Sequence, residues 1–189
     1  LEFPKVFFGQ TQGFDAVVGN PPYIRIQNMT ADRGILDFFE EEYETPNKNY
    51  DIYVIFNESG FNNLGEGGRL GYIQPSKYFK TDYGKNLREF LTRKTAVDEI
   101  VDFSENQIFE GVTTYTCLTF LQKSESDTLN YQKIPNREYS RNIKQFKKNE
   151  IRYEDLSSDE WNFEKLIFKD IFEKLDDLRK VSDITEEIY

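Results

Sequence analysis

The chain has 189 residues, of which 38% are hydrophobic and 16% aromatic, so it can bury a core and is not intrinsically disordered. It contains no histidine, which excludes Ser-His-Asp triads and histidine-ligated zinc. Its one cysteine, Cys117, excludes intramolecular disulfides and cysteine clusters, so no metal site is expected. The net charge of −10, as a whole-chain sum, argues against a nucleic-acid partner. The scarcity of cysteine is typical of a cytoplasmic protein, and no apolar run is long enough to cross a membrane.

The first predicted element is a short buried strand over residues 14–19, which is apolar and closed by glycine. Two prolines make residues 20–26 a loop, because proline fixes φ and lacks a backbone donor. The spacing of apolar residues then predicts a helix over residues 32–44. The chain therefore begins with a strand–loop–helix unit.

Helices and strands continue to alternate along the chain. We predict a helix over 51–64 with Ile52, Ile55 and Phe56 on one face, a strand over 69–74, a helix over 82–93, a strand over 96–103 and a last strand over 113–122. The glycine run 65–68 is expected to stop the first of these helices, and Pro75 to end the strand that follows. This alternation indicates an α/β fold with an open, mostly parallel sheet. No obvious helix separates the final two strands, so the last one is expected to run antiparallel, beside its predecessor.

The composition changes after residue 123. Residues 133–152 contain seven Lys or Arg against two Glu, and an amphipathic helix is predicted over 160–180. We therefore divide the chain into residues 1–123, the body of the sheet, and residues 124–189, a basic connector with a helix. Clustered cations bind DNA phosphates irrespective of sequence, and the candidates are Lys144, Lys147 and Lys148. The alternative interpretation of this stretch is a solvated connector.

The tetrapeptide Asn20-Pro21-Pro22-Tyr23 follows the first predicted strand directly. Ligands of open α/β sheets bind outside the carboxyl ends of strands. The two prolines stiffen the loop and leave carbonyl acceptors, and Asn20 adds a side-chain carbonyl, so two fixed acceptors suit an amino group with two hydrogens. Tyr23 offers a flat face on which a ring can stack. The motif therefore predicts a site for a planar heterocycle or amide that bears an NH2 group.

Residues 14–23, Phe-Asp-Ala-Val-Val-Gly-Asn-Pro-Pro-Tyr, resemble the catalytic segment of the S-adenosylmethionine-dependent amino-group methyltransferases. The similarity is strongest to the adenine-specific DNA methyltransferases of restriction–modification systems. Further stretches resemble that family in the same order, namely 49–56, 67–75, 87–91 and 108–112. The resemblance implies a Rossmann-like methyltransferase sheet, with S-adenosylmethionine as cofactor and double-stranded DNA as partner.

The resemblance also implies roles for individual residues. The target adenine would be flipped out of the duplex, and its amine would donate to the Asn20 side chain and the Pro21 carbonyl. Tyr23 would stack on one face of the base, and Phe109 would pack on the other. Asn20 and Pro22 are the residues expected to reach the cofactor, and Phe109 is alternatively an ordinary core aromatic.

The family binds its methyl donor through a glycine-containing loop that precedes the Asn-Pro-Pro-Tyr motif. Only 19 residues precede Asn20 here, and neither 9–13 nor 65–68 fits such a loop, since neither joins a strand to a following helix. The chain is therefore expected to be the C-terminal half of a catalytic domain, inactive alone and without measurable affinity for S-adenosylmethionine. The helix over 160–180 resembles the segment that leads to the target-recognition domain in these enzymes.

Three alternatives remain open at the level of sequence. A protein-glutamine methyltransferase uses the same amine chemistry on an amide. A non-catalytic recognition or scaffold subunit would keep the base pocket without the reaction. A cytosine methyltransferase is the third alternative, because cytosine offers the same type of amine as adenine. The sequence alone defines neither a fused nuclease nor the oligomeric state.

Overall fold

The computed structural model describes residues 3–8, 12–29, 33–106, 108–109, 114–135, 146–169 and 171. The helices are α1 (Pro4–Phe7), α2 (Arg33–Glu42), α3 (Tyr53–Asn62), α4 (Lys85–Arg93) and α5 (Phe163–Ile167). The strands are β1 (Phe14–Gly19), β2 (Leu64–Pro75), β3 (Val97–Asp102), β4 (Thr116–Gln122), β5 (Thr128–Lys133) and β6 (Asn149–Arg152). Within these ranges no helix is both long enough and apolar enough to cross a membrane.

The six strands form one mixed sheet in the order β1-β2-β4-β3-β5-β6. The pairs β1–β2 and β3–β5 are parallel, whereas β4 runs antiparallel to both β2 and β3, and β6 runs antiparallel to β5. The α/β fold and the antiparallel β4 beside β3 are confirmed. Because β1, β2, β3 and β5 point the same way, their carboxyl ends meet at one edge of the sheet.

Strand β1 is correctly placed by the sequence, but the prediction that it is buried is wrong. It hydrogen-bonds β2 on one side and is the edge strand of the sheet, and Val18 is 87% exposed. A short apolar run has the same appearance in a central strand and in an edge strand, so its composition does not define the position.

The region of α3 and β2 differs from prediction in two details. Residues 65–68 do not stop a helix ahead of the strand but belong to β2, which begins at Leu64. In α3, Ile52 at the N-cap and Ile55 are buried as expected, whereas Phe56 is 39% exposed. This helix is buried on most of its surface because it packs against both β2 and α4, so an amphipathic pattern of one apolar face does not apply.

The sheet also continues beyond residue 123. Strands β5 and β6 extend it, so the predicted division between 1–123 and 124–189 does not coincide with an edge of the sheet. An aromatic cluster then fixes the segment after β6 to the core, with the Phe163 ring stacked on Tyr131 at 4.2 Å and Trp161 beside Phe79. Of the predicted helix over 160–180, the structure describes α5, and residues 172–189 lie outside the described ranges.

Candidate functional site

The tetrapeptide Asn20–Tyr23 leaves β1 at the edge where the parallel strands end. Asn20 and Pro22 are exposed, Pro21 is buried and Tyr23 is half-buried. Among the described residues, none hydrogen-bonds the side chain of Asn20. The structure therefore presents the Asn20 amide at a strand end with its hydrogen-bonding capacity available to a ligand.

The turn from β1 into this loop depends on the absence of a side chain at Gly19. A Cβ atom added at Gly19 would lie 3.0 Å from a ring carbon of Tyr72, which is in register beside it on β2. Tyr72 is buried and cannot easily move. Glycine thus allows β1 to approach β2 closely at the last position before Asn20.

Tyr23 is held by its hydroxyl group, which donates to the backbone carbonyl of Ile73 on β2 at 3.1 Å. Burial, and secondarily the nearby Cys117 thiol, raises the pKa of Tyr23 to about 12. The hydroxyl therefore stays protonated, and remains a donor to Ile73, throughout the ordinary pH range. This hydrogen bond, the tether of Tyr23, fixes the ring relative to the sheet. It is made at the edge of the ring and does not involve the ring faces.

The chain after Tyr23 is fixed by a short antiparallel bridge to the residues before α3. The Ile52 amide donates to the Ile24 carbonyl at 2.9 Å, and the Ile26 amide donates to the Tyr50 carbonyl at 3.0 Å. Ile26, Tyr50 and Ile52 are buried. Both ends of the loop are thus anchored, at Gly19 by packing and at Ile24–Ile26 by hydrogen bonds.

A buried polar network supports the carboxyl end of β2, next to the tether of Tyr23. The Gln74 side chain exchanges hydrogen bonds with Asn57 of α3 at 2.7 and 3.2 Å and donates to the Thr119 hydroxyl of β4 at 3.0 Å. The hydroxyl groups of Thr119 and Tyr78 lie 3.1 Å apart, and all four residues are fully buried. Such a network rigidifies its surroundings because every member is satisfied.

Sequence reasoning did not identify Asn57 or Gln74 as supporting residues. The available signal was a single amide residue inside each of two apolar stretches, Ile55-Phe56-Asn57 and Tyr72-Ile73-Gln74. A polar residue in a buried element usually requires a specific partner.

Asp102, at the carboxyl end of β3, is a further polar group at this edge. Burial raises its pKa, but its carboxylate accepts the Ser104 amide at 2.7 Å and the Tyr131 hydroxyl at 2.9 Å. Because these bonds tie β3 to β5 and to the following turn, we assign Asp102 a structural role.

The remaining predicted site residues lie elsewhere or outside the described ranges. Phe109 is half-buried in the connection from β3 to β4, and Lys144 is outside the described residues. Lys147 is exposed, whereas Lys148 pairs with Glu99 of β3 at 2.8 Å.

Two cavities of about 680 and 510 Å3 open beside β6 and α5, and residues of 131–169 line them, so neither cavity is at the loop after β1.

The segments 9–13 and 65–68 were compared above with a cofactor loop, and their described glycines take part in contacts within the sheet. A Cβ at Gly13, where φ is +146°, would lie 2.3 Å from the Gly65 backbone nitrogen, so the two backbones are in contact. The Gly67 amide donates to the Lys123 carbonyl at 2.8 Å. Neither segment, where described, forms a cradle for S-adenosylmethionine. The assignment of Asn20 and Pro22 to the cofactor therefore stays a prediction, and both residues are exposed at the end of β1.

Comparison with solved structures relates this fold to restriction–modification proteins. The nuclease-deletion mutant of the type ISP enzyme LlaGI, solved with a DNA substrate mimic, aligns with a TM-score of 0.60 at 18% identity over 85% of this chain and 19% of its own. The methyltransferase subunit of a type I system from Streptococcus thermophilus aligns with a TM-score of 0.51 at 19% identity over 66% of this chain and 27% of its own. At such identities the similarity establishes the shared α/β fold.

The sequence comparisons define the family. The sequence profile described as Eco57I restriction-modification methylase matches residues 1–109, so the chain belongs to that family. The type II restriction enzyme and methyltransferase RM.Eco57I of Escherichia coli is 36% identical over 82% of this chain, and the type II methyltransferase M.BstVI of Geobacillus stearothermophilus is 37% identical over 60%. The chain spans 16% and 20% of the lengths of these two relatives.

Proposed function

We propose that the protein transfers a methyl group from S-adenosylmethionine to the exocyclic amine of adenine in double-stranded DNA, within a restriction–modification system. The observation that carries this proposal is the Asn20 side chain, exposed and without a described partner at the end of β1, beside a Tyr23 ring that is tethered by its edge. One residue thus offers an acceptor for an amine, and the other offers a face for the ring that bears it.

The residues of this chain act on the amine. Asn20 and the Pro21 carbonyl accept its two hydrogens, which directs the nitrogen lone pair towards the methyl group that the bound donor supplies. Positive charge would develop on the nitrogen as it accepts the methyl group, and the same two acceptors would stabilise that charge until a proton is lost to water. No strong base is required, in agreement with a sequence that lacks histidine.

An adenine inside a duplex cannot reach the end of β1, so the base must be flipped out of the helix. Stacking of the base on the half-buried Tyr23 ring would repay part of the unstacking cost, which is a few kcal/mol, and Phe109 is proposed to cover the second face of the base. Family membership favours DNA over protein glutamine as the substrate. RM.Eco57I is both a restriction enzyme and a methyltransferase, so a fused nuclease is a further proposal for the complete protein. We also propose that the protein acts in the cytoplasm.

The test is a methyl-transfer assay with the complete encoded protein and methyl-labelled S-adenosylmethionine. Plasmid DNA and a release-factor protein that carries a methylatable glutamine are offered separately, to wild type and to Asn20→Ala. We expect label in DNA with the wild type alone. Label in the protein substrate alone would establish a glutamine methyltransferase, and DNA binding without label in either substrate would favour a non-catalytic subunit.

A further inference from the structure

Arg25 has a backbone that is fixed beside the proposed pocket. It forms the antiparallel bridge with Asp51, and the hydrogen bonds at Ile24 and Ile26 hold it from both sides. Arg25 lies five positions after Asn20, and five residue steps of extended chain span at most about 18 Å. The Arg25 side chain therefore starts from a fixed point close to where the target nucleotide is expected.

Arg25 forms one weak ion pair, which leaves its guanidinium group able to bind a ligand. Its Nε lies 3.9 Å from Oδ1 of Asp51, and its side chain is 61% exposed, against 12% for Asp51. Among the described residues, none forms a hydrogen bond with its guanidinium group. An ion pair this long and exposed contributes about 0–1 kcal/mol to the free energy of unfolding. A stabilising role therefore does not explain why an arginine occupies this position.

Asp51 keeps a partner when Arg25 is engaged elsewhere. Its second oxygen, Oδ2, accepts the Tyr83 hydroxyl at 3.0 Å, and the Tyr83 and Tyr53 hydroxyl groups lie 3.1 Å apart. Arg25 can thus turn towards a ligand without leaving an unsatisfied carboxylate. Asp51 orients the guanidinium, and the exposed N–H groups face solvent.

Few cations occur in the segment that runs from β1 to the end of α3. Between residues 12 and 62 the sequence contains Arg25, Arg33 and Lys48, and Lys48 pairs with Asp82 at 3.5 Å. A DNA strand that delivers a base to Asn20 brings its flanking phosphates to the same surface. Arginine matches phosphate geometry because its planar fork donates two parallel hydrogen bonds.

We infer that Arg25 binds a backbone phosphate of the DNA strand that carries the target base, and that Asp51 positions it for that contact. This inference rests on the proposed function and adds a residue that binds the substrate beside the base pocket. The carboxylate of the methyl donor is the other anion that a guanidinium could bind, and the test separates the two.

The test uses the complete encoded protein and a labelled duplex that contains its methylation site, located beforehand by mapping methylated positions in plasmid DNA. Fluorescence anisotropy gives the Kd at a series of KCl concentrations for wild type, Arg25→Ala and Arg25→Lys. For Arg25→Ala we expect the Kd to rise about tenfold and the slope of log K against log salt to fall by about 0.9, the value for one lost phosphate contact. Arg25→Lys should keep the wild-type slope because it keeps the charge.

Arg69→Ala is the matched control, since Arg69 is 66% exposed and lies 3.8 Å from Asp98, and it should leave the Kd and the slope unchanged. The Kd for S-adenosylmethionine, measured in parallel, should also be unchanged in Arg25→Ala. A wild-type Kd and salt slope in Arg25→Ala would overturn the inference alone, as would a defect confined to donor binding. A wild-type protein that neither binds nor methylates the duplex would contradict both the proposed function and this inference.

Discussion

The sequence associates two regions with DNA, the loop after β1 and the basic stretch 133–152, and the two differ in how their polar groups are satisfied. In the loop, the backbone is anchored at Gly19 and at Ile24–Ile26 while the Asn20 side chain has no described partner. In the basic stretch, Lys133, Lys148 and Arg152 pair with acidic residues of the same fold.

The difference indicates which region is organised to hold a ligand. A binding site combines a rigid frame with polar groups that remain unpaired until the ligand arrives. Cations that already have acidic partners must give up those contacts before they bind phosphate, so their contribution to DNA binding is reduced. Charge density along the sequence is thus a weaker indicator of a DNA contact than the partners that the fold supplies.

The largest effect is expected from Asn20→Ala, which removes the side-chain acceptor of the loop. We expect kcat for methyl transfer to fall at least about 100-fold, because the acceptor acts mainly in the transition state, while the Kd for DNA changes little. Single-turnover transfer of labelled methyl groups measures the rate. Asn28→Ala replaces an exposed asparagine in the short helical turn Ile26–Met29 that follows the loop, and this control should keep near-normal turnover. A similar rate for Asn20→Ala and Asn28→Ala would remove Asn20 from the mechanism.

Gln74→Leu tests whether the buried network supports the loop. The leucine would leave the buried Oδ1 of Asn57 without its donor, while the Thr119 hydroxyl would keep Tyr78 as a partner. An unsatisfied buried group of this kind costs about 1–3 kcal/mol in the free energy of unfolding. Denaturant unfolding measures the loss. The same substitution at Gln122, whose side chain is partly exposed, should cost less than about 0.5 kcal/mol. Equal stability of the two variants would contradict a supporting role for the network.

Tyr23→Phe separates the tether from the ring face. Loss of the hydrogen bond to Ile73 should lower kcat about fivefold, equivalent to about 1 kcal/mol, whereas Tyr23→Ala should lower it further because the stacking face is also lost. Since the pKa of Tyr23 is about 12, its titration should not appear in the pH–rate profile below pH 10. Its contribution to stability should be complete below pH 10 and decrease as the pH rises from 10 towards 12, because the unfolded state loses the proton first. An ionisation near pH 8 that disappears in Tyr23→Phe would disprove this assignment.

The smallest effects are expected in the basic stretch. Lys147→Ala should raise the Kd for DNA about threefold, and Lys148→Ala less than about twofold, because the Lys148 charge is already neutralised by Glu99. In a Glu99→Gln background, removal of Lys148 should have the larger effect that Lys147 has in the wild type. Anisotropy titrations at one salt concentration measure these differences. Equal losses for both lysines in the wild-type background would show that the Glu99 pair does not limit Lys148.

The sequence predicted the order of elements, the antiparallel β4 and the position of the Asn-Pro-Pro-Tyr loop, because these follow from local periodicity and from proline and glycine chemistry. It did not predict that β1 is an edge strand, that β5 and β6 extend the sheet, or that Asn57 and Gln74 meet. Those features depend on contacts between residues distant along the chain, which local patterns do not contain. The partners of the cations were missed for the same reason, since Glu99 lies 49 positions from Lys148.

The central claim is that the end of β1 holds an adenine amine for methylation. Plasmid DNA treated with the complete encoded protein and S-adenosylmethionine can be digested to nucleosides and analysed by mass spectrometry, with Asn20→Ala in parallel. We predict N6-methyladenine with the wild type and none with Asn20→Ala. Methylated cytosine in place of N6-methyladenine, or equal amounts of N6-methyladenine from both proteins, would contradict the claim.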